Sequence, residues 1–440
     1  MRSTEKELHL PTLEEAILKR WEAEDTFGRS VRNRRDAQEY VFYDGPPFAN
    51  NLPHYGHLLA GIIKDIVPRY WTMRGMRVER RFGWDTHGLP VEMEIERELG
   101  IVGKSIEEVG IETFNEACRA SVLKYSKEWE KTVLRTGRWV DFQDRYLTMQ
   151  ASFMESVWWT FKQLWDKDLI YEGYRILPYS TGCHTTLSNF EASADYRDVQ
   201  DPAITLTMPL VSDPGTKLLV WTTTPWTLPA NLAVAAHPQI DYVKLRDLAD
   251  ETNYIMAKSL VHTLYKKPDT YEILSEMKGE SLKGLQYVPL FDFFEEMRER
   301  GAFKVVIDEY VTAEDGTGMV HLAPAYGEDD HRVCAREGIP LVDPINMDGK
   351  FTEPVNSWKG LYIKDADPLI IQDLKKRGRI AKHSTIVHSY PFCERSGFPL
   401  MYKAMPVWFV NVTAIKERII TCNEHTSWIP EHLKSGRFGK

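Results

Sequence analysis

Apolar residues recur about every four positions along much of the first 170 residues, and this spacing is the period of an amphipathic helix. A first helix is predicted to run to about Phe27, with Thr12 and Glu15 forming a capping box at its start. Its apolar positions are Leu13, Ile17 and Trp21. The same period predicts further helices over residues 56–74, 112–136 and 148–167.

Two short β-rich runs flank the second of these helices. Residues 39–44 (EYVFYD) precede it and residues 77–82 follow it. A strand, a helix and a strand in succession form a βαβ unit, whose strands lie parallel with a right-handed crossover. We therefore expect an α/β fold with a parallel sheet in this part of the chain.

The pattern changes after about Tyr179. From residue 203 to residue 308 the helical period gives way to short β-rich runs, which read AITLTMPL, KLLVWTTT, DYVKL, NYIMA, TYEIL and FKVVID. Shorter helices are expected near residues 258–266, 291–300 and 327–337. This change predicts a β-rich domain inserted into the first one. We place the first part at residues 1–180, the insertion at 181–390 and the return at 391–440.

Composition narrows the class of protein. A chain of 440 residues with 43% hydrophobic residues predicts two or three folded domains, and no run approaches the length of a membrane helix. Five scattered cysteines predict reduced thiols in a cytoplasmic protein. The net charge of −9 gives no global basic footprint for nucleic acid. A local basic patch remains one interpretation, and a solvated strand edge the other, for Arg74, Arg77, Arg80 and Arg81.

The stretch PPFANNLPHYGHLL lies where the first β-rich run gives way to a helix. Free N–H groups at a helix start favour an anion, and phosphate is the usual one. His54 and His57 are positioned to donate hydrogen bonds to it, and Gly56 leaves room for a base or ribose. Asp85, after the next strand, is suited to an ammonium group. A capped helix with incidental histidines is the alternative.

His54-Tyr55-Gly56-His57 resembles the HIGH motif of class I aminoacyl-tRNA synthetases, in the form of their branched-chain group. The block GWDTHGLPVE, residues 83–92, is similar to that of the isoleucyl members. The resemblance implies the first half of a Rossmann-like parallel-sheet catalytic domain with an inserted β-rich editing domain. It also implies that ATP, with Mg²⁺, binds at His54, Gly56 and His57, with both histidines catalytic, and that Pro47 and Asp85 hold isoleucine.

Two further blocks, WTTTPWTLPAN and GTGMVHLAPAYGEDDH, combine hydroxyls, a histidine and carboxylates. Taken alone, the threonines are typical of a strand end and the acidic pair of a helix start. A hydrolytic or amine-binding pocket without metal is the functional alternative. The residues concerned are Thr222, Thr223, Thr224, His321, Asp329 and Asp330.

Both blocks resemble the editing domain of isoleucyl, valyl and leucyl synthetases, which hydrolyses wrongly charged tRNA. A second site is needed because one methylene contributes only about 1–3 kcal/mol to discrimination. The resemblance implies that catalytic Asp330 anchors the α-ammonium of the substrate. Thr222, Thr223 and Thr224 would position the ester and water, and His321 would lie beside the side chain and terminal ribose.

Many relatives bind structural zinc through two CxxC pairs, but the matching runs here read STGC, residues 180–183, and CERS, residues 393–396. Serine is a poor zinc ligand, so we expect no structural zinc and no other metal site.

The last residues, WIPEHLKSGRFGK, are similar to the run before the second half of the synthetase sheet, and no KMSKS loop follows. We therefore expect the N-terminal part of a longer, monomeric enzyme that acts on isoleucine, ATP and tRNA(Ile). Aminoacylation by this chain alone should be weak or absent, whereas the editing region looks complete. A stand-alone editing deacylase and a non-catalytic tRNA-binding fragment are the alternatives.

Overall fold

The structure is a computed structural model that describes residues 9–48, 50–101 and 106–439. The chain divides into two compact units, residues 1–169 and residues 170–440. Within the described ranges no helix has both the length and the apolar character needed to cross a membrane.

Unit 1, residues 1–169, is mainly helical with a short parallel ladder. Its elements are α1 (Leu10–Ala23), α2 (Thr26–Arg32), α3 (Tyr55–Met73), β1 (Arg81–Trp84), α4 (Leu89–Leu99), α5 (Ile106–Val109), α6 (Ile111–Ser121), α7 (Ser126–Arg135), β2 (Asp141–Leu147) and α8 (Ala151–Trp165).

Three extended segments of unit 1 run parallel to one another. Strands β1 and β2 pair in parallel, and isolated parallel bridges join Glu39 to Arg77 and Phe48 to Asp85. The segment before α3, the segment leading into β1, and β2 therefore share one direction. The parallel arrangement expected from the sequence is confirmed.

Several boundaries in unit 1 differ from the prediction. Helix α1 begins after His9 and contains Pro11 in its first turn, so Thr12 lies inside the helix and the predicted capping box is wrong. The predicted strand 39–44 is extended but forms only the bridge at Glu39, and the predicted strand 77–82 is shifted to β1. The predicted helix 112–136 is two helices, α6 and α7.

Unit 2, residues 170–440, is mainly β. Its strands are β3 (Ile170–Ser180), β4 (Thr185–Thr186), β5 (Asp195–Pro209), β6 (Thr216–Thr222), β7 (Ala233–Ala236), β8 (Asp241–Asp247), β9 (Asn253–Ala257), β10 (Tyr271–Lys278), β11 (Lys304–Ile307), β12 (Met319–Leu322), β13 (Ile380–Phe392) and β14 (Met401–Val410). Its helices are α9 (Asn189–Ala192), α10 (Val261–Leu264), α11 (Glu328–Arg336), α12 (Ile363–Lys376) and α13 (Lys416–Glu424).

The main sheet of unit 2 has mixed parallel and antiparallel pairing. Its order is β10-β8-β9-β6-β12-β7-β11, and β5 joins β6 on one side and β13 on the other. Strands β6/β9, β6/β12 and β7/β11 pair in parallel, and the remaining neighbours are antiparallel. The molecule is therefore of mixed α/β class.

Two long antiparallel ribbons accompany this sheet. In one, β5 pairs with β13, and Asp195 lies opposite Phe392. In the other, β3 pairs with β14 along the whole length of β14, and Tyr179 lies opposite Met401. The chain thus enters and leaves the main sheet through adjacent strands.

The β-rich runs between residues 203 and 308 all become strands, within two residues of their predicted ends with two exceptions. Strand β5 begins at Asp195, eight residues before its predicted start, and β10 extends further than predicted, as far as Lys278. The predicted helices in this region are shorter. Residues 258–264 form a 3₁₀ turn followed by α10, residues 295–300 form a 3₁₀ helix, and only α11 matches its prediction closely.

Candidate functional sites

The two histidines of the HYGH run form a compact pair at the start of α3. The backbone N–H of His54, the N-cap residue, donates to Nδ1 of His57 at 3.2 Å, and the two ring centroids are 3.6 Å apart. A Cβ at Gly56 would lie 3.1 Å from two ring atoms of His54. Glycine at this position therefore leaves space for the His54 ring over the first turn.

The pKa of His57 is lowered, first by burial and then by the nearby His54 and Lys64. Its imidazole is consequently neutral at pH 7, and because Nδ1 accepts a hydrogen bond, the ring proton is on Nε2. The centroid of the Trp129 ring lies 4.7 Å from that of His57 in an edge contact, which fixes the plane of the imidazole. His57 thus offers one directed N–H donor.

A cavity of about 430 Å³ adjoins this pair. Its lining consists of Gly45, Pro46, Pro47, Phe48, Asn50, Asn51, His54, His57 and Lys64. Asp85 connects to the lining through its backbone, since its N–H donates to the carbonyl oxygen of Pro47 at 2.9 Å. Pro47 and the two histidines thus line the same cavity, whereas Asp85 is not among the lining residues and is joined to them through its backbone bond to Pro47.

Lys64 is a further cationic group at this cavity, and the sequence argument missed it. Its ammonium pairs with Asp44 and donates to the carbonyl oxygen of Gly45 at 2.9 Å. Oδ2 of Asp44 also accepts a hydrogen bond from the guanidinium of Arg138 at 2.5 Å, and both side chains are buried. The helical spacing could have indicated Lys64, because it follows His57 by two turns of α3 and therefore lies on the same face of the helix.

Three of the four arginines that suggested a basic patch are buried or paired with an acidic residue. Arg80 is buried and donates to the hydroxyl of Thr72 at 2.6 Å. Arg77 forms an ion pair with Glu79, and Arg81 lies 2.8 Å from Asp144. Burial of Arg80 and the acidic partners of Arg77 and Arg81 favour the interpretation as a solvated strand edge over that as a nucleic-acid patch.

In unit 2, a chain of side-chain contacts connects the threonine block to His321. Thr222 Oγ1 lies 3.2 Å from Thr224 Oγ1, which lies 3.3 Å from Thr227 Oγ1. Thr227 Oγ1 in turn lies 3.0 Å from Nε2 of His321. Strand β12 carries His321 beside β6, so the pairing of these strands brings together residues 94 positions apart.

His321 is a neutral imidazole in this arrangement. Burial lowers its pKa to about 4, and its Nδ1 is buried without a hydrogen-bond partner among the described residues. A buried ring nitrogen that lacks a partner is available to a ligand.

Asp330 lies in the first turn of α11, but its carboxylate does not cap that helix. Oδ2 accepts the backbone N–H of Ala323 at 2.8 Å, and the N-cap residue is Gly327. A Cβ at Gly327 would lie within 3.0 Å of the Asp330 carboxylate. Burial raises the pKa of Asp330 to about 7, so a bound cation would stabilise its charged form.

These groups surround a cavity of about 170 Å³. Its lining residues are Thr224, Trp226, Thr227, His321, Ala323, Tyr326, Asp330, Tyr390, Pro391 and Tyr402. Thr222 lies behind Thr224, and Thr223 is not among the lining residues of the described chain. Sequence reasoning missed Thr227 and the tyrosines, because β13 and β14 bring Tyr390 and Tyr402 from distant positions.

The two runs that resemble degenerate zinc-binding pairs also meet in unit 2. Cys183 Sγ lies 3.7 Å from Cys393 Sγ, and Ser180 Oγ lies 3.2 Å from Ser396 Oγ. Two sulfurs and two hydroxyls do not fit a structural zinc site, which takes four sulfur or nitrogen donors. The described residues contain no cluster of three or more histidines, cysteines or acids suited to a metal ion.

The sequence as a whole matches a known family. Residues 16–440 match the family of class I tRNA synthetases (I, L, M and V), and the chain belongs to this family.

The relatives within that class are isoleucine–tRNA ligases. The chain is 53% identical to the one from Bdellovibrio bacteriovorus, covering 98% of this chain and 41% of that protein. It is 49% identical to the cytoplasmic one from Mus musculus, covering 98% and 35%, and 51% identical to that from Nocardia farcinica, covering 98% and 42%. The chain thus spans about two fifths of the length of these relatives.

A solved structure, that of GlLeuRS-CP1, matches 41% of this chain and 97% of its own length at 14% identity. Its TM-score of 0.33 is too low to assign a shared fold.

Proposed function

We propose that the chain is part of an isoleucine–tRNA ligase that activates isoleucine with ATP, transfers it to tRNA(Ile) and hydrolyses valyl-tRNA(Ile). Membership of the class I family and the names of the relatives support the ligase assignment. The observation that carries the editing assignment is the cavity in unit 2 that is shared by Thr224, Thr227, His321 and Asp330.

For activation, we assign the cavity beside α3 to the amino acid and the nucleotide. The carboxylate of isoleucine attacks the α-phosphorus of ATP, and pyrophosphate leaves. The Nε2–H of His57, His54 and the N–H groups around Gly56 stabilise the charge that develops on the phosphate oxygens. Mg²⁺ accompanies the nucleotide on its phosphates, Asp85 holds the α-ammonium, and Pro47 shapes the wall.

We further assign unit 1 to the first half of a Rossmann-like catalytic sheet. The three parallel segments and the helix start at their carboxyl ends support this assignment. The boundaries 1–180, 181–390 and 391–440 remain our proposed domains. The adjacent entry and exit strands β5 and β13 support an insertion. A monomeric, cytoplasmic protein is part of the same proposal.

For editing, we assign the ester of valyl-tRNA to the cavity in unit 2. Asp330 binds the α-ammonium, and Thr222, Thr223 and Thr224 position the ester and the attacking water. His321 stays neutral and donates or accepts a hydrogen bond at the terminal ribose. Water attacks the ester carbonyl, the ribose oxygen leaves with a proton, and free valine and tRNA result.

Hydrolysis of valyl-tRNA(Ile) by the full chain tests the editing assignment. The Asp330→Asn variant should lose about 10- to 100-fold in kcat/KM, because a charge-assisted hydrogen bond contributes about 1.5–3 kcal/mol. Asp329→Asn is the matched control, since Asp329 is exposed and paired with Arg332. Equal rates for wild type and Asp330→Asn would refute the assignment. Retention of hydrolysis without any nucleotide binding would favour a stand-alone deacylase.

The pH dependence gives a second test of the same carboxylate. Asp330 must be charged to bind an ammonium group, and its pKa in the empty site is about 7. The KM for valyl-tRNA(Ile) should therefore rise as the pH falls from 8 to 6. This rise should be absent in Asp330→Asn, and no histidine titration from His321 should appear above pH 5.

The nucleotide assignment is tested by titrating the chain with ATP and Mg²⁺ and following the imidazole NMR signals, which also report weak binding. The signals of His54 and His57 should shift, whereas that of His262, whose Nδ1 lies 2.8 Å from the Ser259 carbonyl, should not. Unchanged His54 and His57 signals at saturating ATP would contradict the assignment.

A further inference from the structure

Two of the five cysteines lie close enough to react with each other. Cys183 Sγ and Cys393 Sγ are 3.7 Å apart, although 210 positions separate the residues in the chain. Both are free thiols, as are the other three cysteines. A disulfide has an S–S length of about 2.05 Å, so the two sulfurs must approach by roughly 1.6 Å to form it.

The turns that carry these thiols are well defined by hydrogen bonds. Ser180 ends β3, and its hydroxyl accepts the backbone N–H of Cys183 at 3.2 Å. Cys393 follows β13, and its N–H and carbonyl bond to Phe398 and Gly397 at 2.8 and 2.7 Å. The two sulfurs therefore face each other between two fixed turns.

Ser180 and Ser396 occupy two of the four positions in this cluster, which leaves those of Cys183 and Cys393 as its only sulfur atoms. With only two sulfur donors the group does not fit structural zinc. A pair of thiols in contact and without a metal ion reacts instead with disulfides. A small apolar cluster of Leu187, Ala192 and Leu400 packs beside Cys393.

We propose that Cys183 and Cys393 form a reversible dithiol–disulfide pair, which is oxidised by a low-molecular-weight disulfide of the glutathione class. This site is independent of the catalytic and editing assignments above.

The accessibility of the two cysteines sets the order of the steps. Cys183 is partly exposed, whereas Cys393 is only 1% exposed. The Cys183 thiolate attacks one sulfur of oxidised glutathione, a mixed disulfide forms and one glutathione thiolate leaves. The Cys393 thiolate then attacks Cys183 Sγ and expels the second glutathione. The protons from the two cysteines end on the two glutathione molecules, so two thiols are oxidised and one disulfide is reduced.

The product would join the end of β3 to the end of β13. A disulfide that closes a long loop restricts the unfolded chain strongly, so the oxidised form of unit 2 should be the more stable one. We expect the Tm of unit 2 to rise by several degrees on oxidation and to return on reduction.

The test incubates the reduced full chain with mixtures of reduced and oxidised glutathione, blocks free thiols and maps peptides by mass spectrometry. The expected product is a cross-linked pair of peptides containing Cys183 and Cys393, with Cys118, Cys334 and Cys422 alkylated. Dithiothreitol should restore both thiols. Cys422→Ser is the matched control and should oxidise as wild type does.

Three results would overturn the proposal. One is a glutathione adduct that persists on Cys183 without a cross-link. Another is random pairing that includes Cys118 or Cys422. The third is stoichiometric zinc in the purified protein that blocks oxidation until a chelator removes it. Because these measurements use the wild-type chain, they do not depend on whether a Cys183→Ser or Cys393→Ser variant folds.

Discussion

Unit 2 gathers most of its buried apolar residues in one large contiguous cluster, whereas unit 1 divides them between two smaller ones. Unit 1 also exposes large apolar side chains, several of them on α3 and on α8. Leu59 on α3 is 63% exposed and Trp158 on α8 is 70% exposed. Burial of apolar surface is the main stabilising term in folding, so the two units should differ in stability.

This difference also separates the two candidate sites. His321 lies on β12, the threonines lie at the end of β6 and in or just before the 3₁₀ helix Pro225–Ala230 that follows it, and Asp330 lies on α11. These elements pack into the large core. The histidine pair lies at the start of α3, a helix with only two buried residues among those described. We therefore expect the geometry of the candidate site in unit 2 to be held more rigidly than that of the candidate site beside α3.

The largest expected effect concerns local opening. Backbone amides of β6, β7 and β9 should exchange with deuterium at least an order of magnitude more slowly than those of α3 and α8, because strands in a large core open only with their unit. Hydrogen exchange followed by mass spectrometry on the full chain measures this. Equal protection in the two units would contradict the comparison.

Single truncations should show the same difference. Leu218→Ala in β6 removes a fully buried side chain and should lower the free energy of unfolding by about 2–5 kcal/mol. Leu59→Ala on the exposed face of α3 should change it by no more than about 0.5 kcal/mol. Denaturant titration compares the two variants. A cost for Leu59→Ala as large as that for Leu218→Ala would mean that this face is covered.

A pH-dependent effect is expected from Asp367 on α12. This buried carboxyl accepts the backbone N–H of Trp226, has no partner for Oδ1 among the described residues, and has its pKa raised to about 7 by burial. At pH values between the pKa of Asp367 in the unfolded chain and about 7, the folded state binds this proton and the unfolded state does not. The contribution of Asp367 to the free energy of unfolding therefore declines as the pH rises through that range.

Asp367→Asn should remove that decline. The variant should gain at least about 1 kcal/mol relative to wild type between pH 5 and pH 8, since one pKa unit corresponds to about 1.4 kcal/mol. Parallel denaturation curves at the two pH values measure the gain. A difference between variant and wild type that does not change with pH would contradict the assignment.

The smallest effect is expected at an exposed ion pair. Lys258 lies 2.7 Å from Glu276, and both side chains are about half exposed. Glu276→Gln should change the thermal stability of unit 2 only slightly, and less at high salt. Thermal unfolding at low and high salt checks this, and a larger effect would indicate that the pair is shielded from solvent.

The sequence predicted best those elements whose pattern is local. Helix α3 and strand β9 match their predictions within one or two residues, because their apolar spacing is unbroken. Helix α4 was missed because its start, after Gly88, was treated only as part of a motif. The prediction of a capping box at Thr12 was wrong because Pro11 fits the first turn of a helix, so that α1 already begins at Leu10.

The candidate sites show the same limit at longer range. His54, Gly56 and His57 are adjacent in sequence, so their grouping could be predicted. Thr227, Tyr390 and Tyr402 could not, since they reach the cavity only through strand pairing between distant segments. That Cys183 and Cys393 are neighbours was implied only by the resemblance of their runs to zinc-binding pairs of relatives, since 210 positions separate them in the chain.

The ribbon of β5 and β13 affects how the sequence and length of this chain can change during evolution. Because Asp195 lies opposite Phe392, the chain leaves for the main sheet and returns from it at almost the same point. Everything between these strands can be lengthened, shortened or exchanged while its two attachment points stay side by side. The ribbon therefore lets the segment between β5 and β13 vary in length and sequence while its two attachment points in the rest of the chain stay the same.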